Sequence, residues 1–175
     1  MNKILLILCV MITSFAYGQR IDVADNDQFD IHKYLGKWYE IARMDHHFER
    51  GMICVTANYS LRSDGKIKVE NSGFSVPKDR WSSSEAVAKP TSVPNKLKVY
   101  FFPLISGRYN VAYVDSDYSV AVVSGGSRRY LWFLSRTPEI TLEQKDKMLS
   151  IARDLGYDTS ELLYVSQTIA PEKRD

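Results

Sequence analysis

The side chains of this sequence best suited to chemistry lie in one short stretch, His46-His47-Phe48-Glu49-Arg50, with Cys54 just beyond. Imidazoles beside a carboxylate are the usual material of a metal site or a general acid–base pair. The spacing supports neither. Adjacent side chains of an extended segment diverge, so His46 and His47 do not converge on one ion, and no further histidine or Cys-x-x-Cys pattern lies nearby. Cys54 sits in the apolar run Met52-Ile53-Cys54-Val55, with no adjacent base or cation to generate a thiolate, which suits a small packing residue. A Gly-x-Ser-x-Gly elbow, a phosphate loop and a dinucleotide fingerprint are all missing from the sequence. The reading is a protein without catalytic residues, metal or cofactor.

Composition narrows the field further. A chain of 175 residues, 45% hydrophobic, can bury one ordinary core without disulfides or metals. A net charge of +2, with the signs interleaved, lacks the clustered basic surface of a nucleic-acid binder. The first eighteen residues stand apart: Lys3 supplies a basic start, Ile4 to Ile12 an apolar run, and Ala16-Tyr17-Gly18 a small-x-small cleavage pattern. They read as a secretory signal peptide, because the apolar run falls short of the ~20 residues that span a bilayer. Cys9 lies inside that run, after bulky Leu8, which argues against a lipidation site. Once residues 1–18 are removed only Cys54 remains, so no internal disulfide is available to the single domain expected over 19–175.

The segments that must carry any site are short and rich in Val, Ile, Tyr, Phe and Trp, separated by turn residues, which signals consecutive antiparallel strands. Eight are expected, over 37–45, 53–62, 66–73, 81–89, 96–102, 109–114, 118–124 and 129–136. Eight strands joined this briefly leave two open edges unless the sheet closes, and closure at this number encloses room for one small ligand. The expected fold is therefore all-β, an eight-stranded up-and-down antiparallel barrel. A helix is expected over 141–155, with Thr141 as N-cap and Gly156 as stop, followed by a short final strand within 161–167 and a loose tail from Pro171.

Several motifs sharpen this. Gly36-Lys37-Trp38 after Phe29 to Leu35, the turn Ser116-Asp117-Tyr118 and the terminal Arg136 of the eighth strand follow one another in order. Together they resemble the signature of the lipocalin family. The stretches Gly36 to Arg43, Phe48 to Gly51 and Tyr130 to Pro138 are similar to its bacterial outer-membrane branch. The resemblance implies that Trp38 plugs one barrel end, with Arg136 stacked on its indole, and that Gly36, Trp38, Asp117, Tyr118 and Arg136 are structural. It also implies a bound hydrophobic ligand and an envelope location, periplasm or outer membrane, with secretion also open. That branch is usually lipid-anchored, and here the signal departs from it.

Alternation of side chains, with Trp38 and Arg136 taken as inward, divides the strands into two faces. The inward set expected to touch ligand is Ala42, Ala57, Tyr59, Val69, Ala88, Val99, Tyr109, Val111, Tyr113, Val122, Tyr130 and Trp132, with Arg128 at the mouth. Val55, Ile67, Ala86, Leu97, Phe101, Val120 and Leu134 join the lining, and the small alanines leave room. The loops 45–51, 75–80, 103–108 and 125–128 form the rim and bring His46, His47, Arg50, Arg80, Arg108 and Arg128 to a basic mouth. An apolar shaft with such a mouth suits a fatty acid or lysophospholipid, the tail contributing about 0.8 kcal/mol per buried methylene. Met44, Phe48, Phe74, Leu104 and Ile105 near the mouth suit peripheral membrane contact. Homodimerisation stays open.

Overall fold

The computed structural model describes residues 20–102 and 105–169, the side chains of Phe102 and Ile105 excepted. The signal-peptide segment 1–18, the tail from Pro171 and Leu104 lie outside the described residues. Eight strands, β1 (Gly36–Arg43), β2 (Met52–Leu61), β3 (Ile67–Ser75), β4 (Arg80–Pro90), β5 (Lys96–Phe102), β6 (Ile105–Val114), β7 (Val120–Ser124) and β8 (Leu131–Ser135), pair antiparallel in chain order. β1 pairs with both β2 and β8, which closes the sheet into the expected barrel.

Local chemistry explains the strand ends. Between β2 and β3, Gly65 turns at φ +75° while Asp64 accepts from the Lys66 amide and pairs with Arg62 and Lys66. Between β6 and β7 the turn is held by Asp115, whose carboxylate accepts from the backbone amides of Ser119 (2.6 Å) and Val120 (3.1 Å) and from the Ser119 hydroxyl. The family resemblance implies a structural Asp117 in this turn, but it is Asp115 that accepts the amides. Asp117 is exposed and takes a bond from the Ser116 hydroxyl, because its carboxylate lies on the outside of the turn.

Two apolar layers result. The inner one lies inside the barrel and includes Trp38, Tyr59, Ile67, Ala88, Val99 and Leu134. The outer one lies beneath α2 (Leu142–Asp154), where Met148 and Ala152, one turn apart, press on it from the helix face. Thr141 and Gln144 form a reciprocal capping box at the start of α2.

Three residues expected inside the barrel, Ala42, Tyr113 and Val122, belong to this outer layer, as does Val120. Irregularities in pairing cause the first two reversals: β1 slips between Glu40 and Ala42, and β6 between Val111 and Tyr113. One extra residue sends every later side chain to the opposite face. In β7, pairing of Val123 with Trp132 turns Val123 inward and Val122 outward, toward Phe133. Met44, expected at the mouth, is likewise buried in the outer layer.

The final strand, β9 (Leu163–Tyr164), is shorter than expected and pairs with Ala42 and Arg43 of β1. The chain beyond it acts as a wedge between β1 and β2. Val165 donates its amide to Ile41 O, Cys54 donates to Ser166 O, and the Gln167 amide bridges Glu40 O and Val55 O. Cys54 meets this wedge at φ +52°, buried and free.

Candidate functional site

One end of the barrel is shut by α1 (Ile31–Tyr34) and the start of β1. Trp38 is fully buried there and donates its indole N–H to Tyr34 O at 2.8 Å. The Arg136 guanidinium lies 3.8 Å from the indole centroid and donates to the carbonyls of Lys33, Lys37 and Leu35, each at 2.8 Å. A planar fork does this where an ammonium could not. Gly36, at φ +95°, leaves the guanidinium room to pass. Tyr118 donates or accepts at its hydroxyl only once in the described set, accepting from the Asp30 amide at 2.7 Å, and its ring packs near Phe29.

Above this plug the hydroxyls of Tyr34 and Tyr59 meet that of Tyr109 at 2.6 and 2.7 Å. Burial pushes the phenol pKa of all three upward, so this floor is neutral and hydrogen-bonded. Ala57, Val69, Ala88, Val99 and Val111 form the wall above it, all within the inner layer, with Trp132 packed against them. Tyr130 stacks on Trp132 at 6.0 Å and 11°.

The mouth end differs from the expected apolar shaft. Glu40 pairs across the sheet with Leu134, and Arg43 with Trp132, so both charged side chains share the inner face. They form an ion pair of 2.7 Å with side-chain exposures of 5% and 4%. Arg43 also donates to Glu49 O at 2.6 Å, which folds the 44–51 loop over the opening. The Trp132 indole donates to the Glu49 carboxylate at 3.2 Å. Burial and the neighbouring Glu49 push the Glu40 pKa up to about 8, against the pull of Arg43.

His46, expected on a solvated rim, is buried, its imidazole stacked 4.0 Å from Phe48 and 5.4 Å from Trp132. Its Nε2 lies 2.9 Å from the Glu49 carboxylate without hydrogen-bond alignment, and His46 Nδ1 and Arg43 Nε have no partner among the described residues. His47 and Arg80 are exposed, and Arg50 is engaged by Asp45. Arg108 runs along the outer wall against Gly126, and Arg128 reaches toward Gly156 below α2, so neither turns into the barrel. The rim is thus not the basic collar expected. Among the described residues no cluster of three or more metal-ligating side chains occurs.

Alternation from Trp38 was enough to point Glu40 inward. Arg43 was hidden by the irregularity before it, and the burial of His46 and Glu49 depends on loop packing that periodicity does not encode. A cleft of about 500 Å³ on the outer wall, between Arg20–Val23 and β5–β6, is bordered by Lys96, Lys98 and Arg108 and lies apart from this interior.

Residues 29–167 match the family described as Lipocalin-like domain. The chain is 48% identical over 143 residues to the outer membrane lipoprotein Blc of Escherichia coli K12, covering 81% of each protein. It is 43% identical over 170 residues to the Blc lipoprotein of Vibrio cholerae, covering 95% of this chain and 99% of that one. The fold matches that of insecticyanin from the tobacco hornworm Manduca sexta with a TM-score of 0.67 at 19% identity, over 85% of this chain and 86% of that one. With the closed barrel, the Trp38–Arg136 plug and these likenesses together, the chain belongs to the lipocalin family.

Proposed function

We propose that the barrel binds and carries one hydrophobic ligand with an acyl tail, a fatty acid or a lysophospholipid, in the cell envelope, and that it performs no catalysis. The observation that carries this is the floored interior, whose wall combines small Ala57, Ala86 and Ala88 with Val69, Val99 and Val111 above the tyrosine floor. A tail laid along such a wall is favoured by about 0.8 kcal/mol for each methylene removed from water. The revised contact set omits Ala42, Tyr113, Val122 and Arg128 and keeps Tyr59, Tyr109, Tyr130 and Trp132 with the wall residues. The leader-like residues 1–18 and the printed names of the Blc relatives support export, to periplasm or outer membrane.

Native mass spectrometry of the protein, with displacement of a fluorescent fatty acid by lysophospholipid, tests the reading. Saturable one-to-one binding, weakened by Trp132→Ala with an unchanged circular dichroism spectrum, is the expected result. Failure to bind any acyl amphiphile overturns it. Peripheral contact with lipid is favoured by Phe48, Val76 and Trp81, each more than half exposed around the β1–β2 and β3–β4 loops. Co-sedimentation with liposomes, reduced by Trp81→Ser, is its check.

A further inference from the structure

We infer that the cleft on the outer wall, between the chain at 20–25 and β5–β6, is a second binding site, for a phosphate-bearing anion about the size of a phosphorylated sugar. It is separate from the barrel interior and independent of the acyl-carrier reading.

Both walls of the cleft are fixed by the fold. Residues 20–25 lie along the outside of the barrel, with Ile21 and Val23 buried in the outer apolar layer. The Ile21 amide donates to Gly126 O at 3.1 Å. Asn95, 1% exposed, pins the other end of the segment. Its side chain donates to Ala24 O and Val111 O and accepts from the Asn26 amide, each at 3.0 Å. Lys96 adds an ion pair with Asp25 at 2.6 Å. About 500 Å³ is left between this segment and the sheet, room for a small polar ligand with neither wall displaced.

The charges around it point to the ligand. Between Glu85 and Asp115 the sequence holds four cations, Lys89, Lys96, Lys98 and Arg108, and no carboxylate, which breaks the interleaving of signs found elsewhere. Strand register then aligns three of them. Lys98 of β5 stands directly opposite Arg108 of β6, and Lys89 of β4 directly opposite Lys98, a cationic row across three strands on the outer face. Like charges so opposed are destabilising, and among the described residues none of these three has a carboxylate within ion-pair reach. Lys89 and Lys98 rest 4.6 and 5.3 Å from the Tyr100 ring centroid, which holds both ammonium groups without neutralising them. Arg20, Lys96, Lys98 and Arg108 line the cleft against one lining carboxylate, Asp22, while Asp25 is already engaged by Lys96. A phosphate carrying two negative charges relieves the repulsion between Lys98 and Arg108 and accepts paired N–H bonds from the guanidinium fork. Ser106 and Asn110, also in the lining, supply uncharged partners for hydroxyls beside it.

The test titrates the full protein at low salt with fructose 1,6-bisphosphate, with fructose as the uncharged control, by isothermal titration calorimetry. One-to-one binding of the bisphosphate and none of fructose is expected, weakening as added salt screens the charges. Lys98→Gln together with Arg108→Gln should weaken it about tenfold or more. Both side chains are exposed and repel each other, so the denaturation midpoint of this double variant without ligand should hold or rise. A fluorescent fatty acid held in the barrel should not be displaced by the bisphosphate. A second arm replaces the sugar with phosphatidylcholine vesicles, with or without phosphatidate. Bisphosphate binding without co-sedimentation assigns the phosphate to a soluble ligand; co-sedimentation that requires phosphatidate and is lost in the double variant assigns it to a lipid head. Binding in neither arm, binding unchanged in the double variant, or displacement of the fatty acid by the bisphosphate overturns the site and leaves the carrier function standing.

Discussion

The two ends of the barrel use the same residue types in opposite ways. At the closed end an arginine is laid on a tryptophan and every strong donor finds an acceptor: Arg136 reaches three carbonyls at 2.8 Å, and the Trp38 indole reaches Tyr34 O. At the mouth an arginine again lies near a tryptophan, yet among the described residues Arg43 Nε and both His46 nitrogens lack a hydrogen bond, and two carboxylates share one guanidinium. A satisfied network stiffens a core, whereas a half-satisfied one costs stability that only a further partner can return. The closed end thus serves the fold, whereas the mouth keeps buried polar atoms unpaired among the described residues.

Removing the plug should produce the largest effect. Trp38→Ala is expected to cost about 3–5 kcal/mol in urea denaturation, as for other large buried aromatics. The order of affinities among acyl ligands, measured at a temperature where the variant stays folded, should not change; a changed order would mean that the two ends are not separate in function.

At the mouth the cost should depend on what is left behind. Arg43→Met strands Glu40 among apolar groups and is expected to cost about 3 kcal/mol, while Arg43→Met with Glu40→Gln together should cost less than that single change. A double variant as unstable as, or less stable than, Arg43→Met would show that the Glu40 carboxyl is not the group at fault.

The same carboxyl gives a dependence on pH. Its folded pKa of about 8 exceeds the ordinary 4.5, so the folded protein holds this proton more tightly than the unfolded chain. The resulting contribution is fully present below pH 4.5 and is lost as pH rises through about 8. Denaturation midpoints of the unmodified protein, relative to Glu40→Gln, should therefore fall over that interval; a flat difference would place Glu40 in a solvated setting.

Smaller effects are expected away from both ends. Asp115→Ala removes a side-chain acceptor for two amides in the β6–β7 turn and should cost about 1 kcal/mol, the usual range for such a cap. Arg50→Ala breaks only the exposed pair with Asp45 and should leave the denaturation midpoint unchanged, since such pairs are screened by water and salt. A clear loss in the second case would bring the outer loop into the mouth network.

Much of this was determined by the sequence. Alternating runs such as Ile67, Lys68, Val69 and Glu70, punctuated by Ser63-Asp64-Gly65, require paired strands because period two is the only way to bury one face of an extended chain. Thr141, Gln144 and the Met148–Ala152 spacing encoded the helix through local hydrogen bonds and one apolar face. Trp38 and Arg136, 98 positions apart, were matched by their order within a signature. What tertiary structure alone decided were the positions after each slip in pairing. Ala42 and Tyr113 passed outward, Arg43 came inward, and His46 was buried by a loop folded over the opening. The reason is that a one-residue irregularity leaves composition and periodicity almost unchanged while reversing every side chain beyond it. Its position is set by neighbouring strands and by the wedge at Ser166 and Gln167, which meets β1 and β2 only once the barrel has closed.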